Sequence, residues 1–269
     1  MLRSNFFITL VTICLVSSSA FAATPSPETT QPTSKDNSYI TRAELPGLIK
    51  EALMKDPTIL SQVVEKMQMA QEEEMTKKSK DEISKRKSDL FSDPSSPVIG
   101  SPDADVTIVE FFDYHCGYCK QALGTISKLL ESDKKVRLIL KEYPILSEDS
   151  KMASKAALAV NHIAKDKYFD FHKAMFAAGS SVINENVIAA EAKKLGIDPV
   201  KLKKEMEDPS IQAELDKNRE LGTAIGAMGT PAIIIGENFY PGAIPYEFMQ
   251  KAVKNWRAGD KAPLRADSK

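Results

Sequence analysis

The chain has 269 residues and carries 36 Lys+Arg against 37 Asp+Glu, a formal net charge of −1 at pH 7. That balance leaves no electrostatic footprint for a nucleic acid, and this class of partner is set aside. Hydrophobic residues make up 42% and charged residues 27%, as in an ordinary globular protein, and the length suits one large domain or two modest ones.

Arg3 gives a short positive start, Phe6 to Val16 is apolar, and Ala20-Phe21-Ala22 offers small residues at cleavage positions. Residues 1–22 read as a secretory signal peptide cut after Ala22, because the apolar run is shorter than the ~20 residues that span a bilayer. Cys14 leaves with it, so the mature chain keeps only Cys116 and Cys119. A bridge across two residues constrains the unfolded chain little, and a stapled secreted domain usually carries more cysteines. A lone tight pair therefore points to chemistry. Residues 23–38 are rich in Thr, Pro and Ser and read as a disordered leader.

Residues 39–90 read as helical. Leu45, Leu48, Ile49 and Leu53, then Ile59, Leu60, Val63, Val64 and Met67, recur at helical spacing, with a new helix starting at Pro57. From about Gln71 to Ser88 the pattern turns charged, with Glu73–Lys77, Glu74–Lys78, Asp81–Lys85 and Glu82–Arg86 as acid-first i,i+4 pairs. Such a helix can stand in solvent as a stalk, whereas the apolar part needs a partner. That partner is either its own domain or the same segment of another subunit, and the stalk favours the second.

Ser92 to Asp105 holds three prolines and reads as a loop and boundary, with Val98-Ile99 as a short edge strand. Val106 to Phe112 reads as a buried strand, Lys120 to Glu131 as a helix and Val136 to Leu140 as a second strand, which together predict a parallel βαβ unit. Residues 149–226 contain no strand pattern and at least four helical stretches, a helical block inserted in an α/β domain. Gly196 closes one helix there and Pro199 opens the next. Pro231 to Ile235 and Asn238 to Tyr240 read as a hairpin across Gly236-Glu237, and Tyr246 to Trp256 as a final amphipathic helix.

Cys116 and Cys119 fall between the first strand and its helix. A C-x-x-C can also be half a zinc site, but there is no second cysteine pair, and His162 and His172 read as structural residues of the helical block. At a helix N-terminus, free N–H groups and the dipole stabilise a thiolate, so Cys116 is expected to be the exposed, low-pKa nucleophile and Cys119 the buried resolving thiol. Glu110 is the only charge in its apolar strand and is costly to bury without purpose, which suits a proton acceptor or donor for Cys119. Pro231 opens an apolar strand, an unusual place for proline; a cis bond there would leave the Thr230 backbone free to meet a peptide beside the cysteines.

The stretch Val109-Glu110-Phe111-Phe112-Asp113-Tyr114-His115-Cys116-Gly117-Tyr118-Cys119-Lys120 resembles the DsbA-like thioredoxin-fold proteins of bacterial envelopes, and Gly229-Thr230-Pro231-Ala232 resembles their cis-proline loop. The resemblance covers roughly residues 91–260. It implies a thioredoxin fold with an inserted helical domain at about 149–226, preceded by the helical segment 39–90. It implies Cys116 as nucleophile, Cys119 as resolving cysteine, Glu110 as the buried acid and Pro231 as the cis-proline, with His115, Gly117, Tyr118 and Thr230 meeting the substrate. No metal and no cofactor are implied. Gly-Tyr between the cysteines and Thr before the proline look more like the disulfide isomerases of the same superfamily, which are oligomers held by an N-terminal region. The reading is then a periplasmic or envelope protein that forms or isomerises disulfides in unfolded or misoxidised secreted proteins. It would work with a membrane redox partner, as a homo-oligomer built through residues 39–90. Two rival readings are a non-enzymatic envelope protein with a structural cysteine clip, and a Cu(I) binder using both thiolates.

Overall fold

A computed structural model describes residues 39–179 and 183–264; the signal and leader readings lie outside these. The described residues fall into two units, divided between Ile59 and Leu60.

In the first unit, α1 (Leu45–Lys55) starts with a proline in its first turn and ends at Asp56. The Asp56 carboxylate accepts from the Thr58 amide and hydroxyl at 3.0 and 2.6 Å, which caps a new helix where Pro57 had predicted one. None of α1 is buried, and Leu45, Leu48 and Ile49 are exposed.

The second unit begins within α2 (Thr58–Lys85), whose Leu60, Val63, Val64 and Met67 are exposed. The expectation of a charged helix standing free in solvent needs correction at its far end. Ile83 of α2 and Leu90 of α3 (Lys87–Phe91) are fully buried against Val109, Phe111, Leu221 and Ile225. Each such burial removes an aliphatic side chain from water and stabilises the fold by about 2–3 kcal/mol. Among the expected ion pairs, Arg86 meets Glu82 at 3.3 Å, but Lys85 reaches Glu82 at 2.7 Å across i,i+3 rather than Asp81.

Five strands form one sheet in this unit: β1 (Val98–Gly100), β2 (Val106–Phe112), β3 (Val136–Glu142), β4 (Ala232–Ile235) and β5 (Asn238–Pro241), in the order β1-β3-β2-β4-β5. β2 and β3 are parallel, joined through α4 (Gly117–Ser132), and the other pairs are antiparallel. β2 is buried on both faces, which is why it reads as a continuous run of Val, Ile and Phe rather than an alternation. Ile108 and Phe112 face a core that includes residues of α4, α5 (Glu148–Ile163), α6 (Tyr168–Ala178) and α10 (Tyr246–Arg257); Val109 and Phe111 face the core closed by Ile83 and Leu90.

The region between β3 and β4 is helical, as expected, and adds α7 (Glu185–Lys194), α8 (Pro199–Glu205) and α9 (Pro209–Ala224). Asp198-Pro199 and Asp208-Pro209 start the last two in the same way. The proline presets φ in the first turn, and the aspartate accepts from free amides. The β4–β5 turn needs Gly236: its φ of 63° lies in the left-handed region, and a Cβ there would run into the Trp256 ring.

Lys141 of β3 is the one fully buried lysine among the described residues. Its ammonium donates to the Asp89 carbonyl at 2.8 Å and the Ser96 hydroxyl at 2.6 Å and pairs with Asp93 at 3.5 Å, so the segment after α2 is fastened to the sheet.

Candidate active site

β2 runs into the turn Asp113-Tyr114-His115, and Cys116 is the N-cap of α4, extended at φ −84° and ψ 113°. Its carbonyl accepts from the Cys119 amide at 3.1 Å and the Lys120 amide at 3.2 Å, so the helix starts at the cysteine itself. Cys119 lies one turn in. Both are free thiols, and this is the dithiol form. Cys116 keeps 8% of its surface and Cys119 none. The expected order of exposure holds, but Cys116 is recessed rather than exposed, and its thiol donates to the Thr230 carbonyl at 3.1 Å.

The Thr230–Pro231 peptide is cis. Thr230 lies beside Cys116 although the two are 114 residues apart in the chain. Gly117 and Tyr118 stand exposed at the mouth of α4, Tyr118 with 68% of its surface open. His115 is half-buried, and its Nδ1 shares a hydrogen bond with the Ser147 hydroxyl at 2.8 Å.

Glu110 stands in mid-strand opposite Leu140 and Ile233 and is 2% exposed. Burial pushes its carboxyl up to about 8. The Cys119 thiol is pushed far above its ordinary range, first by burial and then by the Glu110 charge; the Asp113 amide and the Thr230 hydroxyl work against the rise. The acid and the inner thiol are thus electrostatically coupled. Two neighbouring groups that each resist ionisation can share a proton between them.

Two buried acids here were not singled out from the sequence, and the buried His172 was read as structural. Asp113 is fully buried and binds the turn to the segment after β3. Glu142, at the end of β3, is also fully buried; burial pushes its carboxyl well up, and its Oε1 accepts from Tyr168 at 2.9 Å and Tyr114 at 3.2 Å. His172 meets the Tyr114 hydroxyl through Nδ1 at 3.0 Å and packs edge-on to Phe112, and burial pushes it down to about 3, so it is neutral. Asp113 had a readable signal, since Asp two residues ahead of a backbone amide is an Asx-turn pattern. The argument that singled out Glu110 extends to Glu142, a charge closing an apolar strand.

Comparisons with known proteins agree with this geometry. Residues 92–255 match the family model described as thioredoxin. Disulfide bond formation protein D of Bacillus subtilis is 23% identical over 164 residues, 58% of this chain and 74% of that protein. Among solved structures, the thiol-disulfide exchange protein alpha-DsbA2 of Wolbachia pipientis is 33% identical with a TM-score of 0.62, covering 66% of this chain and 95% of that one. Proteus mirabilis ScsC in a compact conformation is 28% identical with a TM-score of 0.62, covering 82% of this chain and 100% of that one.

Proposed function

This chain belongs to the thioredoxin family and is a DsbA-like thiol–disulfide oxidoreductase, and from that premise we propose that Cys116 and Cys119 are its redox pair and that it acts on secreted proteins in the periplasm or cell envelope. The observation that carries the assignment is the Cys116 thiol at a helix N-terminus, 3.1 Å from the Thr230 carbonyl, with Cys119 and Glu110 buried behind it.

In the oxidised form a client thiolate attacks Cys116 Sγ. The client–Cys116 bond forms as the Cys116–Cys119 bond breaks, and Cys119 leaves with the electron pair and takes a proton from Glu110. A second client thiolate then attacks the client sulfur of the mixed disulfide and releases Cys116 as a thiolate. The client dithiol is oxidised by two electrons and the protein disulfide is reduced. Run from the reduced form, Cys116 attacks a wrong client disulfide and reshuffles it. His115, Gly117, Tyr118 and the Thr230 backbone meet the client. A membrane redox partner resets the pair.

Residues 39–90 serve self-association in this reading, and residues 91–269 form the redox domain. Support comes from the apolar side chains left open on α1 and on α2, and from a likeness to ScsC that extends over more of this chain than the redox domain alone can supply. Isolated apolar stripes of this kind are stable in water only when covered.

The test compares the intact protein with a Leu48→Lys/Val63→Lys variant, following both scrambled-disulfide isomerisation and oxidation of a dithiol peptide. An oligomeric parent, and a monomeric variant that keeps oxidation and loses isomerisation, are expected. A parent that sediments as a monomer, or a monomeric variant that isomerises as well as the parent, would overturn the self-association reading.

A further inference from the structure

The exchange reaction as written uses Glu110, both cysteines and Thr230. It does not use the carboxylate in the turn that connects them to the sheet. Asp113 is fully buried. Its Oδ1 accepts from the His115 amide at 2.7 Å and the Ser150 hydroxyl at 2.6 Å; its Oδ2 accepts from the amides of Ile145 and Leu146 at 2.8 and 2.9 Å. All four partners are neutral donors. Four donors converge on its two oxygens.

The same residue also holds Cys116 through its main chain. Its carbonyl accepts from the Cys116 amide at 3.0 Å. The segment it reaches is itself braced toward the site, since Ser147 caps α5 by accepting from the Ser150 amide at 3.0 Å and bonds His115 at 2.8 Å.

We propose that Asp113 is a positioning residue for disulfide exchange: its carboxylate fastens the Cys116 turn to residues 145–150, and its buried charge opposes the build-up of negative charge on the Cys116 sulfur. Asp113 touches neither client nor reacting bond. It acts by fixing the backbone from which both thiols hang, and by making the reduced pair less favourable than the helix terminus alone would make it. This rests on Cys116 and Cys119 being the redox pair.

The experiment uses the intact protein and three variants: Asp113→Asn, Asp113→Ser and Ser150→Ala. Asp113→Asn removes the charge. Asp113→Ser removes it too, but keeps a short acceptor for the His115 amide. Ser150→Ala keeps the charge and removes one donor. Three quantities are read: the equilibrium constant against glutathione, the rate of exchange with a short dithiol peptide, and the urea stability of oxidised and reduced forms.

Losing a like charge near a sulfur should make the disulfide of both Asp113 variants more oxidising by roughly tenfold, which is about 30 mV for a two-electron couple. Ser150→Ala should slow exchange by roughly threefold, with an equilibrium constant within about twofold of the parent. Folded Asp113 variants whose constant stays within about twofold of the parent, and whose two redox forms lose stability equally, would show a merely structural residue and overturn the proposal. So would a Ser150→Ala rate equal to the parent's, a result that stands even if both Asp113 variants fail to fold. A parent with no measurable redox equilibrium would instead strike the cysteine assignment itself.

Discussion

Replacing Glu110 by Gln tests the buried acid in a way that stability alone can read. The parent carboxyl lies 2% exposed and is raised from 4.5 to about 8 by burial. A carboxyl whose folded value lies above its unfolded one binds more protons in the folded chain, so stability is full below pH 4.5 and falls as pH rises through about 8. At about 1.4 kcal/mol per pH unit of separation, the unfolded chain's readier ionisation of this group costs the reduced protein roughly 3 kcal/mol of stability at pH 7 and roughly 4 near pH 8. Gln is isosteric and neutral. It brings its own burial cost of about 1–2 kcal/mol, but that offset does not vary with pH. Urea unfolding of the reduced proteins at pH 5, 6, 7 and 8 should therefore show the parent losing about 3 kcal/mol more than Glu110→Gln across that range. Titrating groups that do not feel the Glu110 charge cancel in the difference. Parallel pH profiles, agreeing within about 0.5 kcal/mol, would refute the reasoning, because they would mean that Glu110 ionises in the folded protein as it does in water.

The two cysteines should separate by trapping. Cys119→Ser, lacking the inner thiol, should accumulate a mixed disulfide with a disulfide-bonded peptide on non-reducing gels, as Cys116 bonds one peptide sulfur and the other leaves as a thiolate, while Cys116→Ser should form none; the reverse pattern would exchange their roles. Gly236→Ala should cost about 2–4 kcal/mol in urea unfolding, because the residue must hold φ 63° and its new Cβ meets Trp256; a loss below about 0.5 kcal/mol would show that the turn and α10 move aside freely.

Where chemistry is local, this sequence is easy to read. The Val106–Phe112 run, the helix opened by Cys116 and the start of α8 at Pro199 each depend on residues within one turn of each other. The proposed redox pair and acid are legible for the same reason, since Glu110, Cys116 and Cys119 are carried on one strand and the helix that follows it. What escaped depends on partners distant in sequence. Ile83 looks like an isolated apolar residue in a charged helix, and only its packing with Phe111 and Leu221 turns it into core. Asp113 looks like a turn former, yet two of its four donors are backbone amides beyond β3, groups that every sequence has and none advertises. The recessed setting of Cys116 follows from Thr230, far along the chain.

Two buried acids share one face of the sheet, and the contrast between them says which can follow the electrons. Glu110 and Glu142 stand on neighbouring strands, opposite Leu140 and Phe112 respectively. Glu142 is raised by burial but accepts from Tyr114 and Tyr168, and Tyr114 is in turn held by neutral His172. The two tyrosines tie Glu142 to the turn after Phe112 and to α6. For Glu110 burial is the one cause of the rise, and its charge acts on Cys119. At about 8, its proton is held at neutral pH and yielded just above it, so a thiolate appearing on Cys119 is enough to draw it. On the proposed mechanism, the proton that travels with the two electrons is therefore the one on Glu110, and the second acid keeps the stage still while it moves.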